Sequence, residues 1–496
     1  MEMYSVLLAL ILTLCMSSDG AWMHYRDSQN QDRSSIVFPS SFLSPFTAAE
    51  RSHSPGDLHA TYFHAIEALF AVTVRLKDLL IPEAKRNLLL SPISTTMALA
   101  ETLLGARGSA RSHILNILTA INRTKDTAEA TVVEFHQHMG SLIKFLKTSP
   151  GLDKSYQLHL ASALFIDSLL NLSSDYQKAA TELYGMEVMR LDFSGDPFRA
   201  VDTINQWAAK HTLGTIKEVF NRPLPRTTAA ILTNAIYFKG DWETPFNPQY
   251  TMPGKFRSSD SRTVNVQFMR GQFDLMYVEN NRCGCRMISI PYKHAEAAMY
   301  VILPDVGDLY NIHAFAARLS LDDVRQLVSS TKLASVTLVM PKMRLAQTFS
   351  IRTGLSLLQQ QSASEMQKKV LGSVPEQNKK QESESVLCGG SNCSLRYQTL
   401  CKSRAQPENP EQLYGEDVSG VSHKHDFEIG DIIQQVFLEV SEVGTEAAAV
   451  GTTLVDYFGD FKNFIVDRPF VFFIKHEITG SPLFWGTIVD PTNDDT

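Results

Sequence analysis

The sequence predicts an α+β fold with large sheets, because helical patterns come first along the chain and strand patterns follow. From residue 58 to residue 146 apolar residues recur at the spacing of one helix face. Beyond residue 157 short apolar runs alternate with helical segments, and the run at 228–238 is long and apolar enough for a buried central strand. Chains that keep the two kinds of element apart in this way are typical of α+β domains.

Local signals place the individual elements. Ser91-Pro92 is typical of a helix start, because a serine hydroxyl accepts from the first turn and proline fits there. Apolar residues at helical spacing predict helices at 109–118, 127–146, 173–184 and 197–211. Short apolar runs predict strands at 157–166, 188–193, 228–238, 336–343, 432–440, 469–475 and 483–489, with several more between 256 and 303.

The composition excludes several classes of protein. With 44% hydrophobic and 20% charged residues, most of the 496-residue chain can bury a core. The net charge of −7 argues against a nucleic-acid partner, which usually selects a basic surface. Outside the N-terminus no apolar run is long enough for a membrane span, so no membrane association is expected.

The N-terminus carries a targeting pattern. An apolar run at 6–16 is too short to cross a bilayer and is followed by Ser17, Ser18 and Gly20. This pattern predicts a secretory signal peptide over 1–20, cleaved after Gly20, and a secreted, extracellular protein. A buried N-terminal helix is the alternative, since the first residues include Glu2 but no Lys or Arg. Residues 21–57 are polar and aperiodic, which predicts a flexible extension.

Five cysteines remain once Cys15 leaves with the signal peptide, and an odd number leaves one thiol free or bonded to another chain. We expect Cys285 to be a buried strand thiol. The Cys283-Gly284-Cys285 spacing does not suit zinc, so no metal site is expected there. One local disulfide is possible among the remaining three, Cys388, Cys393 and Cys401.

Three Asn-x-Ser/Thr sequons predict glycosylation at Asn122, Asn171 and Asn392, with unused sequons as the alternative. Basic residues around 127–146 are sparse, so we expect no heparin binding. The stretch 359–425 is rich in Gln, Ser, Glu, Lys and Asn. This composition predicts a low-complexity surface insert, which is more simply a tolerated loop than a binding element.

Enzyme motifs are missing from the sequence. There is no Gly-x-Ser-x-Gly elbow and no phosphate-binding glycine loop. His476-Glu477 lacks the second histidine of a zinc protease helix, and the polar stretch around His423 and His425 is expected to be a solvated loop. The sequence therefore predicts neither an enzyme nor a bound cofactor.

A run of small residues at 444–455 is the most informative part of the chain. With the period of a strand, one face carries Thr445, Ala447 and Ala449 and stays small and uncharged as far as residue 455. Both nearby charges, Glu446 and Asp456, fall on the other face. The segment can therefore become a strand whose small face packs inside a fold, although a flexible Ala/Gly linker is the alternative.

Five separated motifs resemble the serpins, the suicide-type inhibitors of serine proteases. The resemblance runs from residue 58 to residue 492, interrupted by the insert, and implies one domain. The matching motifs are Asn87-Leu-Leu-Leu-Ser91-Pro92-Ile-Ser94, Thr233-Asn234-Ala-Ile-Tyr-Phe-Lys-Gly240-Asp-Trp242, Met340-Pro341-Lys342-Met343, Glu442-Val-Gly444-Thr-Glu446-Ala-Ala-Ala449 and Phe464-Ile-Val-Asp467-Arg-Pro469-Phe470-Val-Phe-Phe-Ile474.

The resemblance implies an α+β serpin-like fold of about nine helices and three sheets, with an exposed reactive loop at 443–463. It also implies a mechanism, in which the loop is cut and inserts into the large sheet while the protease stays covalently attached. The partner is then an extracellular serine protease, and the inhibitor a monomer. By the same resemblance the hinge of the loop is expected to be Glu442, Gly444, Thr445, Glu446, Ala447, Ala448 and Ala449, and the small inward residues found above are what insertion requires.

The family's usual spacing, counted from Gly444 and back from Phe470, places the cleaved bond at Phe458–Gly459. An aromatic residue there favours the hydrophobic pocket of a chymotrypsin-like protease. Tyr457 is the neighbouring alternative.

Further roles carry over by position. Ser91, Ser94 and Asn234 match the polar cluster beneath the large sheet, called the shutter, in which Gln434 replaces the usual histidine. Trp242 matches the breach, where insertion begins, and Lys342 is expected to pair there with Glu442. A non-inhibitory serpin, acting as a carrier or a peptide precursor, is the alternative function. Its hinge would be bulky or charged, whereas this hinge is small.

Overall fold

The computed structural model describes residues 62–80, 86–118, 129–148, 156–258, 262–305, 311–351, 421, 431–443 and 461–492. They all fall within one unit, Phe38–Thr496. The predicted signal peptide at 1–20 and extension at 21–57 lie outside these ranges. So does the predicted insert at 359–425, apart from Val421.

Eight α-helices lie within the described ranges. Several begin at a Ser, Asp or Asn side chain that accepts a hydrogen bond from an amide of the first turn. The helices predicted from apolar spacing agree with α3 to α6 to within two residues. In chain order the helices are α1 (Phe63–Leu80), α2 (Pro92–Gly105), α3 (Gly108–Leu118), α4 (Glu129–Thr148), α5 (Ser174–Tyr184), α6 (Pro197–His211), α7 (Ile312–Arg318) and α8 (Leu321–Ser330). None of them is both long and apolar enough to cross a membrane.

Five strands form the sheet that carries the candidate site, in the order β10-β11-β4-β2-β3. The central strand β4 is almost entirely buried, because α2 packs on one face of the sheet and α6 on the other. This explains its continuous apolar run in the sequence. The strands are β2 (Tyr156–Asp167), β3 (Glu187–Leu191), β4 (Ala230–Gly240), β10 (Met343–Ser350) and β11 (Asp431–Val440).

The other nine strands form a second sheet, in the order β1-β14-β13-β8-β7-β6-β9-β12, with β5 added on β6. The long strand β6 pairs with β5 and β9 along one part and with β7 along the other. It thereby joins strands that the resemblance would divide between two sheets. The strands are β1 (Leu88–Leu90), β5 (Met252–Arg257), β6 (Thr263–Asn280), β7 (Cys285–Pro291), β8 (Ala297–Pro304), β9 (Lys332–Pro341), β12 (Lys462–Ile465), β13 (Phe470–His476) and β14 (Pro482–Ile488).

The central feature of the five-stranded sheet is the parallel pairing of β4 with β11, which we call the seam. It runs from Asp431 opposite Ile231 to Leu438 opposite Phe238. The remaining neighbours, β2 beside β4 and β10 beside β11, are antiparallel. The two halves of the sheet therefore meet at a closed parallel ladder.

Aromatic packing crosses the seam on the outer face of the sheet. The rings of Tyr237 and Phe437 are stacked with centroids 5.2 Å apart. Arg344 of β10 lies over the Phe437 ring, and His159 of β2 meets the edge of Tyr237. Lower on the same face α6 packs against residues of β2, β4 and β11, including Ile433. Opening the seam would therefore break an aromatic stack and disturb the packing of α6.

The single strand predicted at 336–343 is wrong in extent, because β9 ends at Pro341 and β10 begins at Met343. Between them the amide of Lys342 donates to Gln267 O at 2.8 Å. The chain thus leaves the nine-stranded sheet and enters the five-stranded sheet within one residue. The polarity of Lys342 does not reveal this change of sheet in the sequence.

The prediction of a free thiol at Cys285 is also wrong. Cys285 is buried as expected, but it forms a disulfide with Cys283. Gly284 between them has φ of +61°, a conformation that glycine adopts without strain. The turn from β6 to β7 thus brings together two cysteines separated by only one residue.

Val421 lies inside the predicted insert, yet it is fully buried. Its carbonyl accepts from the amide of Ser173 at 2.8 Å, and its side chain fills the space beside Gly105 at the end of α2. A side chain at Gly105 would overlap Val421. This residue therefore belongs to the packed core of the fold.

The Tyr237–Phe437 stack generates the first prediction. Phe437→Leu keeps an apolar side chain but removes the stack, so it should weaken the seam by about 0.5–1.5 kcal/mol. Amide hydrogen exchange should then speed up in β4 and β11. The matched control is Phe473→Leu, which removes the Tyr300–Phe473 stack of the other sheet, whose centroids are 4.5 Å apart. Equal acceleration of exchange in β4 and β11 by both variants would contradict the assignment.

Candidate functional site

The chain that leaves the top of β11 is anchored before it enters the reactive loop. The indole Nε1 of Trp242 donates to Ser441 O at 2.8 Å, and the Trp242 amide donates to Val443 O at 3.1 Å. The amide of Phe246 donates to Glu442 O at 2.7 Å. Three donors from the segment after β4 therefore hold the residues that follow β11.

The side chain of Glu442 is held as firmly as its backbone. Lys342 Nζ lies 2.8 Å from Glu442 Oε2, and Thr251 Oγ1 donates to Glu442 Oε1 at 2.8 Å. Burial alone would raise the pKa of the Glu442 carboxyl. The Lys342 ammonium, the residue's own amide and the Thr251 hydroxyl outweigh burial, and the pKa lies below its usual value. Glu442 is therefore a carboxylate at neutral pH.

Trp242, the predicted breach residue, is buried at the top of the seam. Its ring stacks on Tyr292 with centroids 4.5 Å apart, and the two residues form an isolated β-bridge. Tyr292 in turn meets the edge of Phe238 at the last register position of the seam. The breach is thus a rigid aromatic corner that fixes where the chain leaves β11.

Beneath the seam, Gln434 of β11 is held by the N-terminus of α2. Gln434 Nε2 donates to Ser91 O at 3.0 Å, and its Oε1 accepts from Thr95 Oγ1 at 3.1 Å. Ser91 also caps α2 by accepting from the Ser94 amide, and its hydroxyl donates to Leu483 O. The side-chain amide of Gln434 therefore donates one hydrogen bond and accepts another. A glutamine at this position, where the resemblance implies a histidine, can do both.

Asn234 of β4, the remaining predicted shutter residue, takes a different partner. It lies opposite Gln434 in the seam, but its Nδ2 donates to Glu101 Oε2 of α2 at 3.5 Å. Ser162 of β2 donates to the same oxygen at 2.8 Å. Ser94 Oγ finds no hydrogen-bond partner among the described residues. The predicted shutter residues therefore form two groups along α2 rather than one network.

Sequence reasoning missed three members of these groups, namely Thr95, Glu101 and Ser162. Glu101 could have been found, because it is the single charged residue of α2 and that helix is buried along its whole length. A lone carboxylate in an apolar helix indicates a buried polar contact. Thr95 and Ser162 carry no comparable signal, since their partners lie on other strands or helices.

The predicted reactive bond Phe458–Gly459 and the predicted hinge residues Gly444, Thr445, Glu446, Ala447, Ala448 and Ala449 lie outside the described residues. Both flanks of the loop are described. One flank ends at Val443 above the five-stranded sheet, and the other enters β12, which pairs in parallel with β9 of the nine-stranded sheet. The segment predicted as the reactive loop therefore lies in the chain between a strand of one sheet and a strand of the other.

Of the predicted glycosylation sites, Asn171 is exposed in the connection before α5. Asn122 and Asn392 lie outside the described residues. In the described part of the chain no group of three or more His, Cys, Asp or Glu side chains is placed to hold a metal ion.

A family model described as serpin (serine protease inhibitor) matches residues 67–382 and 412–491. The chain belongs to the serpin family. The match contains every shutter and breach residue discussed above, and the unmatched residues 383–411 fall within the predicted insert. Since the family is one of protease inhibitors, this serpin is not an enzyme.

Curated relatives of this serpin include named protease inhibitors. Serine protease inhibitor 28Dc of Drosophila melanogaster is 28% identical over 423 residues, covering 81% of this chain and 75% of the relative. The leukocyte elastase inhibitor of Homo sapiens is 27% identical over 414 residues, covering 82% and 93%. Iripin-1 of Ixodes ricinus is 27% identical over 419 residues, covering 84% and 92%.

Solved structures show the same fold. Human thyroxine-binding globulin superposes with a TM-score of 0.69 at 22% identity, covering 87% of this chain and 100% of that chain. Mouse protein-Z dependent protease inhibitor gives 0.68 at 21% identity, covering 89% and 100%. The serpin fold is therefore established, while a fold that a thyroxine-binding protein shares does not by itself establish inhibition.

The Lys342–Glu442 pair generates the second prediction. Lys342→Met leaves the buried Glu442 carboxylate without its cation, so it should lower the free energy of unfolding by about 1–3 kcal/mol at pH 7. A carboxyl with a lowered pKa stabilises the fold above its unfolded pKa and loses that contribution as the pH falls through the folded value. The loss of stability below about pH 4.5 should therefore be smaller in Lys342→Met than in the wild type.

Urea unfolding at pH 3–7 measures both effects. The matched control is Lys475→Met, which breaks the Lys475–Glu477 pair of the other sheet, whose atoms are 3.0 Å apart. This control should keep the wild-type acid profile. An unchanged acid profile in Lys342→Met would show that the pair at the breach does not hold Glu442.

Proposed function

We propose that this serpin is a secreted, suicide-type inhibitor of an extracellular, chymotrypsin-like serine protease. Relatives named as serine protease and elastase inhibitors support inhibition. The apolar run at 6–16 supports secretion, and the exposed sequon at Asn171 suits a glycoprotein. The aromatic Phe458 supports a protease with a hydrophobic primary pocket.

The parallel direction of β4 and β11 is the observation that carries this proposal. The chain leaves β11 at the top of the seam, beside Trp242. A segment that folds back from this point runs opposite to β11, and it also runs opposite to β4. Once inserted between them it can form two antiparallel ladders in place of one parallel ladder. This topology suits a loop that becomes a strand of its own sheet.

The chemistry of inhibition begins as ordinary proteolysis. The serine hydroxyl of the protease attacks the carbonyl of Phe458, and the Phe458–Gly459 bond breaks to leave an acyl-enzyme. The leaving amine of Gly459 takes the proton and stays with β12. The protease is now esterified to Phe458, at the end of the segment that inserts.

Insertion competes with hydrolysis of the ester, so the contacts at the top of the seam set the outcome. The hinge must release the Lys342–Glu442 pair and the hydrogen bond between Trp242 and Ser441 before the first residues enter. Farther down, the Tyr237–Phe437 stack and the Gln434 contacts must yield. Each of these is a few hydrogen bonds or one stack, which can break one after another.

The hinge sequence suits this insertion. Its inward face is small and uncharged from Thr445 to residue 455, and it would lie over α2. A charge on this face would be buried without a partner. Val450 and Gly451 depart from the family's more usual Ala and Thr, which favours slower insertion and some cleavage of the inhibitor as a substrate. The alternative is a purely non-inhibitory carrier. The next experiment distinguishes it from an inhibitor.

The third prediction tests the reactive bond. Purified protein incubated with chymotrypsin should give a complex that survives denaturing electrophoresis and a released peptide that begins at Gly459. Phe458→Arg should transfer complex formation from chymotrypsin to trypsin, because an acidic primary pocket then accepts the arginine. Clean cleavage without a complex, and without a gain in heat stability, would contradict inhibition.

The fourth prediction tests the inward face of the hinge with one substitution at two adjacent positions. Thr445→Arg places a charge inside the sheet and should lower the yield of complex by tenfold or more. Tenfold corresponds to about 1.4 kcal/mol in the free-energy difference between complex formation and cleavage as a substrate. Glu446→Arg places the same side chain on the opposite face and should leave the yield nearly unchanged. Both variants should still be cut at Phe458, as electrophoresis shows. Equal yields from both would contradict the assignment of the two faces.

A further inference from the structure

One buried carboxyl has no part in the mechanism described above. Glu101 is fully buried near the C-terminal end of α2. Its Oε2 accepts from Ser162 Oγ at 2.8 Å and from Asn234 Nδ2 at 3.5 Å. These donors belong to β2 and β4, so Glu101 ties one half of the five-stranded sheet to the helix beneath it.

The same helix also holds the other half of the sheet. Gln434 of β11 bonds to Ser91 and Thr95 in the first turns of α2. Ser162, Asn234 and Gln434 occupy successive strands at one level of the sheet, since Asn234 lies opposite both of the others. The seam passes between Asn234 and Gln434. Helix α2 therefore holds both sides of the seam, one through Gln434 and the other through Glu101.

The groups that face Glu101 leave its charge poorly compensated. Lys147 of α4 acts on it electrostatically, and Tyr176 and Tyr184 of α5 face it with phenols that burial keeps neutral. Its hydrogen-bond donors on β2 and β4 are the uncharged Ser162 and Asn234. β11 faces α2 with Gln434, and β14 has no ionisable residue.

Burial raises the pKa of Glu101 to about 8, against the opposing effects of its two hydrogen bonds and Lys147. The carboxyl is therefore mainly protonated at neutral pH. The nearby histidines do not titrate in the same range, because burial lowers the pKa of His136 to about 3 and that of His211 below its usual value. Burial also lowers the pKa of Lys147, against the opposing effect of the Glu101 charge, so a test of Glu101 must change Glu101 itself.

Protonation also changes what Glu101 can bind. A protonated carboxyl has one O–H donor, whereas the carboxylate only accepts. Glu101 Oε1 and Asn234 Oδ1 are both buried without a hydrogen-bond partner among the described residues. In the neutral state Glu101 therefore gains a donor in a site that holds two unpartnered acceptor oxygens. In the ionised state it loses that donor, and the negative charge is buried.

We propose that protonated Glu101 fastens β2 and β4 to α2, and that its ionisation loosens this half of the sheet so that the seam opens more readily. Glu101 is thus a positioning residue for insertion and makes opening depend on pH. Ser162 also lines a cavity of about 560 Å³ together with Lys147, Glu187 and His211. Ser162, which donates a hydrogen bond to Glu101, therefore separates Glu101 from a cavity through which a proton can be exchanged.

The direction of the effect follows from linkage. The native state holds the proton up to about pH 8, whereas an unfolded glutamate loses it near pH 4.5. The stabilising contribution is complete below the unfolded pKa and is lost as the pH rises through the folded value. The equilibrium constant for unfolding should therefore increase about tenfold between pH 7 and pH 9.

The test compares Glu101→Gln with the wild type at pH 7 and pH 9, with Glu182→Gln on the exposed face of α5 as the matched control. One measurement is the urea unfolding of the uncleaved protein. The other is the rate at which a synthetic peptide of residues 444–457 enters the sheet, followed by the gain in heat stability. The equilibrium constant for unfolding of the wild type and of Glu182→Gln should be about tenfold larger at pH 9, and the peptide should enter both proteins faster at pH 9 than at pH 7. Glu101→Gln should change less than twofold.

The two measurements distinguish a failure of this proposal from a failure of the proposed function. The peptide measurement rests on the proposed function, and the urea measurement does not. If no peptide enters the wild type at any pH, loop insertion fails, and the urea profile still judges Glu101. If Glu101→Gln keeps the wild-type pH profile, the proposal is wrong. Should that variant not fold, infrared spectroscopy of the wild type decides instead. A protonated-carboxyl band at pH 7 that vanishes by pH 9 supports the proposal, and its absence at pH 7 overturns it.

Discussion

The parallel pairing of β4 with β11 is the constraint on which the rest of this structure depends. Its backbone groups are already paired, so the closed sheet is stable as it stands. Yet a strand inserted antiparallel to both neighbours would satisfy more backbone groups than the seam does now. The native sheet is therefore closed, although it could accept one more strand and so form one more pair of hydrogen-bonded strands. The surrounding helices and anchors only have to keep that closure for a time.

The contacts that keep the seam closed are polar beneath and aromatic above. On the inner face Gln434 and Asn234 bond to α2 instead of to each other. On the outer face Tyr237 stacks on Phe437. A continuous apolar interface would resist opening along its whole length, because every separated pair would expose apolar area. Separate hydrogen bonds and one stack can be broken singly, and a buried amide can exchange one partner for another as a new strand arrives.

The sequence motifs predicted the fold class and the positions of the central strand, Trp242, Lys342 and Glu442, because each is fixed by local pattern or by the serpin resemblance. Contacts between distant elements were less accessible. The strand pair β9 and β10 looked like one strand, since nothing in Lys342 shows that the chain changes sheets there. The partners of Glu101 depend on how α2 is rotated beneath the sheet. That rotation results from packing on several elements, and no single segment encodes it.

The two flanks of the predicted reactive loop have different anchors, so the proposed cleavage would separate its ends. The N-terminal flank rests on Trp242 and Lys342, and the C-terminal flank is built into β12 beside β9. Lys342 directly follows β9, so one turn of chain supports both flanks while the loop is intact. After the proposed cleavage only the N-terminal flank would remain tied to the seam. In the proposed mechanism the ester would join the protease to Phe458, so the protease would travel with the inserting segment, while Gly459 would stay on the chain that leads into β12.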